Sequence, residues 1–303
     1  STIIGEGSTA PWNNYADEIT SIVIEDGVTS IGHVSFMGFS NLKMINLPDS
    51  LVSIGQCAFM RCGNLTEIEI PPNVVSIGYT AFFGCGFTSV TIPASVSEIG
   101  GTLFSHCASL ESVTINGNIS IIDQFTFEEC TNLKSVFLPN SIETISYAAF
   151  SGCSTLAHIE IPKSVSTIKD KAFKNCSSLK TIKFLGDAPI FESTSPVAPA
   201  NTFSGVIATA YHPIENETWT ADKLQNYGGN VIWKAFCTNH NEIKEVIDTA
   251  VAPTCIDKGL TEGWHCGLCG KVITVQEEVP ALGHKYDPYG KCERCGENKE
   301  LLD

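Results

Sequence analysis

Residues 45–65 read INLPDSLVSIGQCAFMRCGNL, and the chain writes this pattern again and again. Each copy carries a phenylalanine at one fixed point and a small or apolar residue three positions later. The two columns are Phe36, Phe59, Phe82, Phe104, Phe127, Phe150 and Phe173, followed by Phe39, Cys62, Cys85, Cys107, Cys130, Cys153 and Cys176. The period is 23 residues, with one copy of 22 between Phe82 and Phe104. A fixed period in this range indicates a solenoid of stacked coils.

The order of structure within one coil follows from the spacing of its apolar residues. The alternating pair Ile68/Ile70 predicts a short strand, and Pro71 ends that strand because proline lacks a backbone donor. The V-x-S-I-G segment at 74–78 alternates again and predicts a second short strand. The A-F-x-x-C tail has the three-residue spacing of a helical turn. We therefore predict a β-rich α/β solenoid, right-handed, built of short strands plus helical turns.

The cysteines that recur in the coils are interpreted as small buried hydrophobes that fit a tight corner. Phe39 occupies the same column as Cys62 and its successors. Because a phenylalanine can replace the thiol, packing rather than thiol chemistry explains the column.

The consensus L-x-x-I-x-I-P-x-x-V-x-x-I-G-x-x-A-F-x-x-C, repeated over residues 19–185, resembles the BspA-type (Treponema-type) bacterial leucine-rich repeat. The resemblance implies a leucine-rich-repeat solenoid in a secreted or cell-surface bacterial protein. It also implies recognition, since some members of that family bind host matrix proteins or other cells. We therefore expect adhesion or interaction with an extracellular protein or glycan, without catalysis.

The chain divides into four parts on the basis of rhythm and composition. Trp12 and Tyr15 can cover the open amino-terminal end of the stack, which a solenoid must protect. We predict an N-terminal cap at 1–18, leucine-rich repeats at 19–185, an irregular last coil and C-terminal cap at 186–235, and a Cys/His-rich module at 236–303.

The Cys/His-rich module carries two C-x-x-C-G knuckles, at 266–270 and 292–296. Two cysteines separated by two residues can place both thiolates on one ion, and the glycine supplies the tight backbone. With the upstream ligands, we predict two sites: His240, Cys255, Cys266 and Cys269, then Cys237, His284, Cys292 and Cys295. Each is a Cys₃His set typical of structural zinc, and the module is zinc-ribbon-like. His265 is an alternative to His240.

Disulfides are the competing interpretation of the same cysteines. Residues 252–272 resemble small repeated modules at the ends of bacterial surface proteins. For a protein outside the cell, an oxidising environment favours disulfides. An anaerobic habitat, which the family suggests, favours thiolates and metal. Six cysteines also allow about 15 disulfide connectivities, so sequence leaves both possibilities open.

The outward strand positions are the candidate recognition surface. They change from acidic through hydroxyl-bearing to basic along the stack, and Phe137 is apolar where other coils are polar. A lysine-rich stretch at 163–183 is a possible docking patch for an acidic partner or glycan. The partner-binding candidates are Glu67, Glu69, Phe137, His158, Glu160, Lys174, Lys180 and Lys183. The alternative is that all of them are ordinary solvated side chains.

Charge and motifs exclude several other classes of function. The net charge of −15 argues against nucleic acid and anionic membrane as partners, and no apolar run approaches the roughly 18 residues of a transmembrane segment. The sequence lacks the nucleophile-elbow, Walker, dinucleotide-binding and H-E-x-x-H motifs. Two alternatives to recognition stay open: a passive surface stalk or spacer, and a secreted metal- or thiol-dependent enzyme acting through Cys266 and Cys269.

Overall fold

The computed structural model describes residues 2–4, 10–238 and 245–297, with 23 strands numbered along the chain. The chain folds into two compact units. The first is Ser1–His212 with Asn216–Lys234, and the second is Pro213–Glu215 with Ala235–Asp303. The first unit contains the repeats, and the second contains the Cys/His-rich module.

Short parallel strands form two surfaces of the repeat unit. The strand face, which carries the I-x-I pairs, consists of β2 (Ser21–Val23), β4 (Met44–Asn46), β7 (Ser89–Ile92), β9 (Ser112–Ile115), β11 (Ser135–Phe137), β13 (His158–Ile161), β15 (Thr181–Phe184), β17 (Ile207–Pro213) and β18 (Asn230–Phe236). The second surface consists of β1 (Thr2–Ile4), β3 (Val28–Ile31), β5 (Ser53–Ile54), β6 (Ser76–Ile77), β8 (Glu98–Ile99), β10 (Ile121–Ile122), β12 (Thr144–Ile145), β14 (Thr167–Lys169) and β16 (Ile190–Glu192). The predicted β-solenoid is therefore confirmed.

The register between coils equals the sequence repeat. Ile54 pairs with Ile77 across β5 and β6, and both side chains point into the core. Gly78 ends its strand where a Cβ would lie 2.5 Å from the backbone nitrogen of Gln56, so only glycine fits. Each apolar column of the sequence thus becomes one interior column of the stack.

The ladder of the strand face is interrupted twice within the described chain. Its strands group as β2–β4, β7–β9–β11 and β13–β15–β17–β18. In the first gap, residues 66–70 run without strand pairing although Ile70 is buried, so the strand predicted for Ile68/Ile70 is wrong. The second gap, between β11 and β13, lies beside Phe137.

The phenylalanine column is the centre of the core. Neighbouring rings lie nearly parallel, with centroid separations from 5.1 Å for Phe127–Phe150 to 5.7 Å for Phe104–Phe127. Trp12 stacks on Phe36 at one end and donates its indole N–H to the Ser35 carbonyl at 2.7 Å. Phe203 extends the column at the other end. Tyr15, which was also predicted to cover the amino-terminal end of the stack, is 56% exposed.

The cysteine column contributes hydrogen bonds as well as packing. Each Sγ donates to the carbonyl of the phenylalanine in the preceding coil, at 3.2 Å for Cys62 to Phe36 and 3.0 Å for Cys130 to Phe104. Burial raises the pKa of Cys62 and of Cys107 to about 12. The thiols therefore stay protonated and can donate.

The predicted helical turns are wrong, because the A-F-x-x-C segments form tight turns that bond to the next coil. Cys57 and Arg61 adopt left-handed φ angles of 53° and 64°, which reverse the winding of a helix. Alternate amides of each turn donate to carbonyls of the next coil and not to carbonyls of their own coil. For example, the Phe59 amide donates to the Ala81 carbonyl at 2.9 Å. Among the described residues the regular helix is the 3₁₀ helix Pro11–Tyr15. No helix of this part of the chain is long and apolar enough to cross a bilayer.

The second unit is a small antiparallel structure. Its strands are β19 (Glu245–Asp248), β20 (Gly259–Leu260), β21 (Gly263–Cys266), β22 (Val272–Thr274) and β23 (Glu278–Val279). The order β19–β21–β22 makes one sheet, and β20 pairs with β23. Most of its large apolar side chains are exposed, so this unit has little apolar core.

We expect Phe150→Ala to reduce the free energy of unfolding by about 3–5 kcal/mol, because the change opens a cavity between two stacked rings. Phe137→Ala is the matched control, since the Phe137 ring is 59% exposed and should change stability by less than about 0.5 kcal/mol. Urea unfolding followed by circular dichroism measures both. Equal losses for the two variants would contradict the role given to the column.

Candidate functional site

Two groups of potential metal ligands lie in the second unit. Cys255, His284, Cys292 and Cys295 form the four-residue cluster, and Cys237, Cys266 and Cys269 form the three-cysteine cluster. Within each cluster, one ligand atom from every residue lies within 4.8 Å of the others. Both groups could hold a metal ion.

The predicted partition of ligands between the two sites is wrong, because Cys255 and Cys237 are exchanged. The antiparallel pairing of Gly259 with Val279 brings the segment before β20 beside the segment after β23. The Leu282 amide donates to the Thr254 carbonyl at 2.8 Å, which places Cys255 next to His284. The spacing of the ligands along the sequence could not predict this strand pairing.

The three-cysteine cluster is assembled across a long stretch of chain. Cys237 Sγ lies 3.5 Å from Cys269 Sγ. Glu215 accepts from the Thr238 amide at 3.4 Å and from Lys271 Nζ at 2.9 Å. One carboxylate therefore connects the residue that follows Cys237 with a lysine two positions after Cys269. Partial burial opposes ionisation of Glu215, but the Lys271 ammonium and the amides lower its pKa to about 2. His240, the predicted fourth ligand, lies outside the described residues.

His265, the alternative to His240, does not join the three-cysteine cluster. It precedes Cys266 on β21, and successive strand residues point to opposite faces. Its Nδ1 lies 2.8 Å from Asp248 Oδ1 instead.

The two knuckles have the same backbone geometry. Gly270 and Gly296 adopt φ angles of 73° and 81°, which glycine accepts without steric cost. Gly270 donates to the Cys266 carbonyl at 2.8 Å, and Gly296 donates to the Cys292 carbonyl at 2.9 Å. This turn brings the paired thiols of each C-x-x-C motif to one side.

Ionisation differs between the thiols of the four-residue cluster. Burial opposes the Cys292 thiolate, but amides of Cys295 and Arg294 and the His284 ring lower its pKa to about 5. Burial, together with Cys295 and Cys292, raises the pKa of Cys255 to about 12. In the three-cysteine cluster, amides of Leu268 and Cys269 lower the pKa of Cys266. The knuckle turns thus favour thiolate, the form that binds metal.

The distances fit a tetrahedral metal better than disulfides. Zn–S bonds of about 2.3 Å at tetrahedral angles place two thiolates roughly 3.8 Å apart, whereas a disulfide needs about 2.05 Å. The observed Sγ–Sγ separations are 3.5 Å for Cys237–Cys269 and 3.8 Å for Cys255–Cys292. Cys295 Sγ lies 3.4 Å from His284 Nδ1, and Glu297 is near the other ring nitrogen at 3.6 Å. A carboxylate at that position commonly orients a metal-binding histidine.

In the described chain, a hollow of the strand face lies at each of the two interruptions of its ladder. The seam hollow, of about 420 Å³, lies between β11 and β13 and brings together Phe137, His158 and Glu160. The second hollow, of about 570 Å³, contains Glu67 and Glu69 beside the unpaired segment 66–70. The acidic candidates Glu67 and Glu69 therefore belong to a different hollow from Phe137, His158 and Glu160.

The candidate lysines lie on different surfaces of the repeat unit. Lys183, on β15 of the strand face, pairs with Glu160 at 3.4 Å. Lys180 lies just before β15 and is exposed, whereas Lys174 lies on the turn between Phe173 and Cys176. Lys169 lies on the second surface and faces Glu192 at 3.7 Å. The structure thus places only Lys183, and not the lysine-rich stretch as a whole, beside the seam hollow.

Residues 13–85 and 52–180 match the family model described as the BspA type leucine rich repeat region, in six copies. The chain belongs to the BspA-type leucine-rich-repeat family. A leucine-rich repeat protein from Bacteroides ovatus is similar, with 26% identity over 79% of this chain and 67% of the other, at a TM-score of 0.53. A Treponema pallidum leucine rich repeat protein is 31% identical over 53% of this chain and 78% of the other, at a TM-score of 0.48. Among curated proteins none matches this chain.

Sequence reasoning missed several residues that shape the sites of this BspA-type protein. Glu215 belongs to a segment with no repeat or ligand pattern, so no local signal marked it. Lys134 lines the seam hollow and pairs with Glu111 at 2.9 Å across adjacent coils. The alignment of repeats could have revealed that pair, because the two residues precede equivalent strands.

We expect the chelated, metal-free chain to be alkylated at the clusters well before the coils. At pH 7 Cys62 and Cys107, with a pKa of about 12, remain protonated, whereas Cys292, with a pKa of about 5, is a thiolate and Cys295 is exposed. A timed iodoacetamide pulse with peptide mass spectrometry measures the order. Modification of Cys62 as fast as Cys295 would contradict the burial of the cysteine column.

Proposed function

We propose that this chain is a secreted or cell-surface bacterial protein that recognises an extracellular protein or glycan through its strand face. Membership in a leucine-rich-repeat family supports a binding role, because stacked repeats expose long, stiff surfaces. The observation that carries the proposal is Phe137, whose ring is 59% exposed in the seam hollow. Exposed aromatic residues beside a hollow are common anchors in binding interfaces.

The column that contains Phe137 supports a role beyond packing. Its equivalents on β9 and β7 are Thr114 and Thr91, which are polar side chains. Replacing threonine by phenylalanine at an outward position adds apolar surface to water and nothing to the core. Recognition explains that choice better than stability does.

The proposed role is non-catalytic. Lys134 and Glu111 form one ion pair at the margin of the seam hollow, and Lys183 and Glu160 form another. Charged groups paired around an exposed aromatic ring resemble the polar rim of a binding interface.

For the second unit we propose structural zinc in both clusters. The four-residue cluster offers three thiols and an imidazole, the donor set typical of closed structural sites. Zinc would link segments that are distant in sequence and stabilise a unit with little apolar core. Cys255, His284, Cys292 and Cys295 would hold one ion, and Cys237, Cys266 and Cys269 would contribute to the other.

We expect the full chain purified with zinc to contain one ion per cluster, measured by mass spectrometry of the metal. Cys295→Ser should lose one equivalent, because it removes a ligand from one cluster alone. Cys62→Ser, in the buried column of the repeats, is the matched control and should lose none. A chain with less than half an equivalent of zinc and with mapped disulfides would refute the proposal.

We expect Phe137→Ser to weaken binding of the full chain at least about tenfold on the target that it recognises, by loss of an anchor. The screen uses immobilised host matrix proteins, mucins and bacterial cells. Ile121→Ser is the control, because Ile121 is 46% exposed on β10 of the second surface. If Phe137→Ser binds as tightly as the unaltered chain, the recognition site lies elsewhere on the protein. If the chain binds none of these targets, a passive stalk is favoured.

A further inference from the structure

The seam between β11 and β13 opens on one side of the stack only. No backbone ladder joins these two strands in the described chain, although β12 and β14 of the same coils pair on the second surface. Phe150 and Phe173, from the same two coils, stack at 5.3 Å in the core. The coils are therefore held together at the back and the centre while their strand-face edges are unpaired.

Such an edge presents backbone hydrogen-bonding groups to the hollow. In the next pair of coils the Thr181 amide donates to the Ala157 carbonyl and the Leu185 amide donates to the Ile161 carbonyl. The corresponding positions at the seam are His158, Lys134 and Pro162, and Pro162 has no amide to donate. The backbone groups of this unpaired edge lie in the plane of the sheet, in the gap beneath the hollow.

An inserted peptide strand does not fit between β11 and β13. Pairing with both edges requires roughly 10 Å, which is two strand spacings. The ring separation of 5.3 Å and the paired strands of the second surface hold these coils at one spacing. The occupant must therefore lie over the seam rather than within the sheet.

The seam hollow places three hydroxyl-bearing side chains beside an exposed aromatic ring, with aliphatic and charged side chains around them. Ser112, Thr114 and Ser135 surround the exposed Phe137 ring, with His158 and Glu160 across the seam. A hydroxyl both donates and accepts, so it matches a ligand whose groups also do both.

Charge points in the same direction. The Lys134–Glu111 pair at 2.9 Å and the Lys183–Glu160 pair at 3.4 Å balance the charged groups around the hollow. The protein as a whole carries −15, and the second hollow contains two glutamates. A charge-balanced surface on an acidic protein suits an uncharged ligand.

We propose that the seam hollow binds an uncharged glycan. One sugar ring lies with its apolar C–H face on the Phe137 ring, whose electron-rich face attracts those hydrogens. The sugar hydroxyls bond to the side chains of Ser112, Ser135 and Thr114, which stand above the sheet as the Phe137 ring does. This inference rests on the proposed recognition function and assigns its ligand class.

The test uses the full chain on immobilised gastric mucin after four treatments. We expect binding to untreated mucin, to protease-released mucin glycopeptides and to sialidase-treated mucin, and loss of binding after periodate oxidation of sugar diols. Raising NaCl from about 0.05 to about 0.5 M should change the affinity by less than about twofold, since an uncharged ligand is not screened.

Three variants locate the site. Phe137→Ser should weaken binding to the glycopeptides at least about tenfold, and Phe137→Trp should keep it within about threefold, because the aromatic face is retained. Ile121→Ser, on the second surface, should bind as the unaltered chain does. Since Phe137 is exposed, unchanged thermal melting verifies that both Phe137 variants are folded.

Several outcomes would overturn the inference. Binding that survives periodate but is lost on proteolysis identifies a protein ligand, and loss after sialidase identifies a charged glycan. If binding to the protein ligand or to the charged glycan still depends on Phe137, the proposed recognition function stands and only the assignment of the ligand class is wrong. Absence of binding to every mucin preparation also overturns the glycan assignment.

Discussion

The stacked phenylalanine column is the constraint on which the rest of the structure depends. Rings about 5–6 Å apart hold each coil at one strand spacing from the next, so every other column has to repeat in register. The cysteine thiols then reach the carbonyls of the preceding coil, and the turn amides reach those of the following one. A coil alone lacks these partners, which is why stability belongs to the stack.

This constraint also explains how a binding site can arise without disturbing the fold. With the core column and the second surface holding two coils together, the strand face can lose its ladder locally, as it does between β11 and β13. The backbone groups and the aromatic ring exposed there cost the core nothing. The second unit has little apolar core, because most of its large apolar side chains are exposed. Its two knuckles instead bring thiols together into the two clusters of potential metal ligands.

Sequence alone predicted what repetition or a short motif encodes. The period predicted the solenoid and its buried columns, and the C-x-x-C-G motifs predicted both knuckles. Helical turns were wrong because the three-residue spacing of Phe59 and Cys62 fits a tight turn as well as a helix, and left-handed residues such as Arg61 carry no compositional mark. The exchange of Cys255 and Cys237 depends on strand pairing across 20 residues, from Gly259 to Val279, which ligand spacing does not specify. The interruption at Phe137 likewise arises from pairing between coils rather than from the pattern within one.

Residue-resolved hydrogen exchange of the free chain tests the central claim, that the strand face is unpaired at the seam while the stack is intact. The account predicts that the amides of His158 and Glu160 exchange much faster than those of Thr181 and Lys183, their partners on β15. The amide of Phe150 should be as protected as that of Phe127, since both donate to the next coil. Equal protection of His158 and Thr181 would mean a continuous ladder and would contradict the seam as the recognition site.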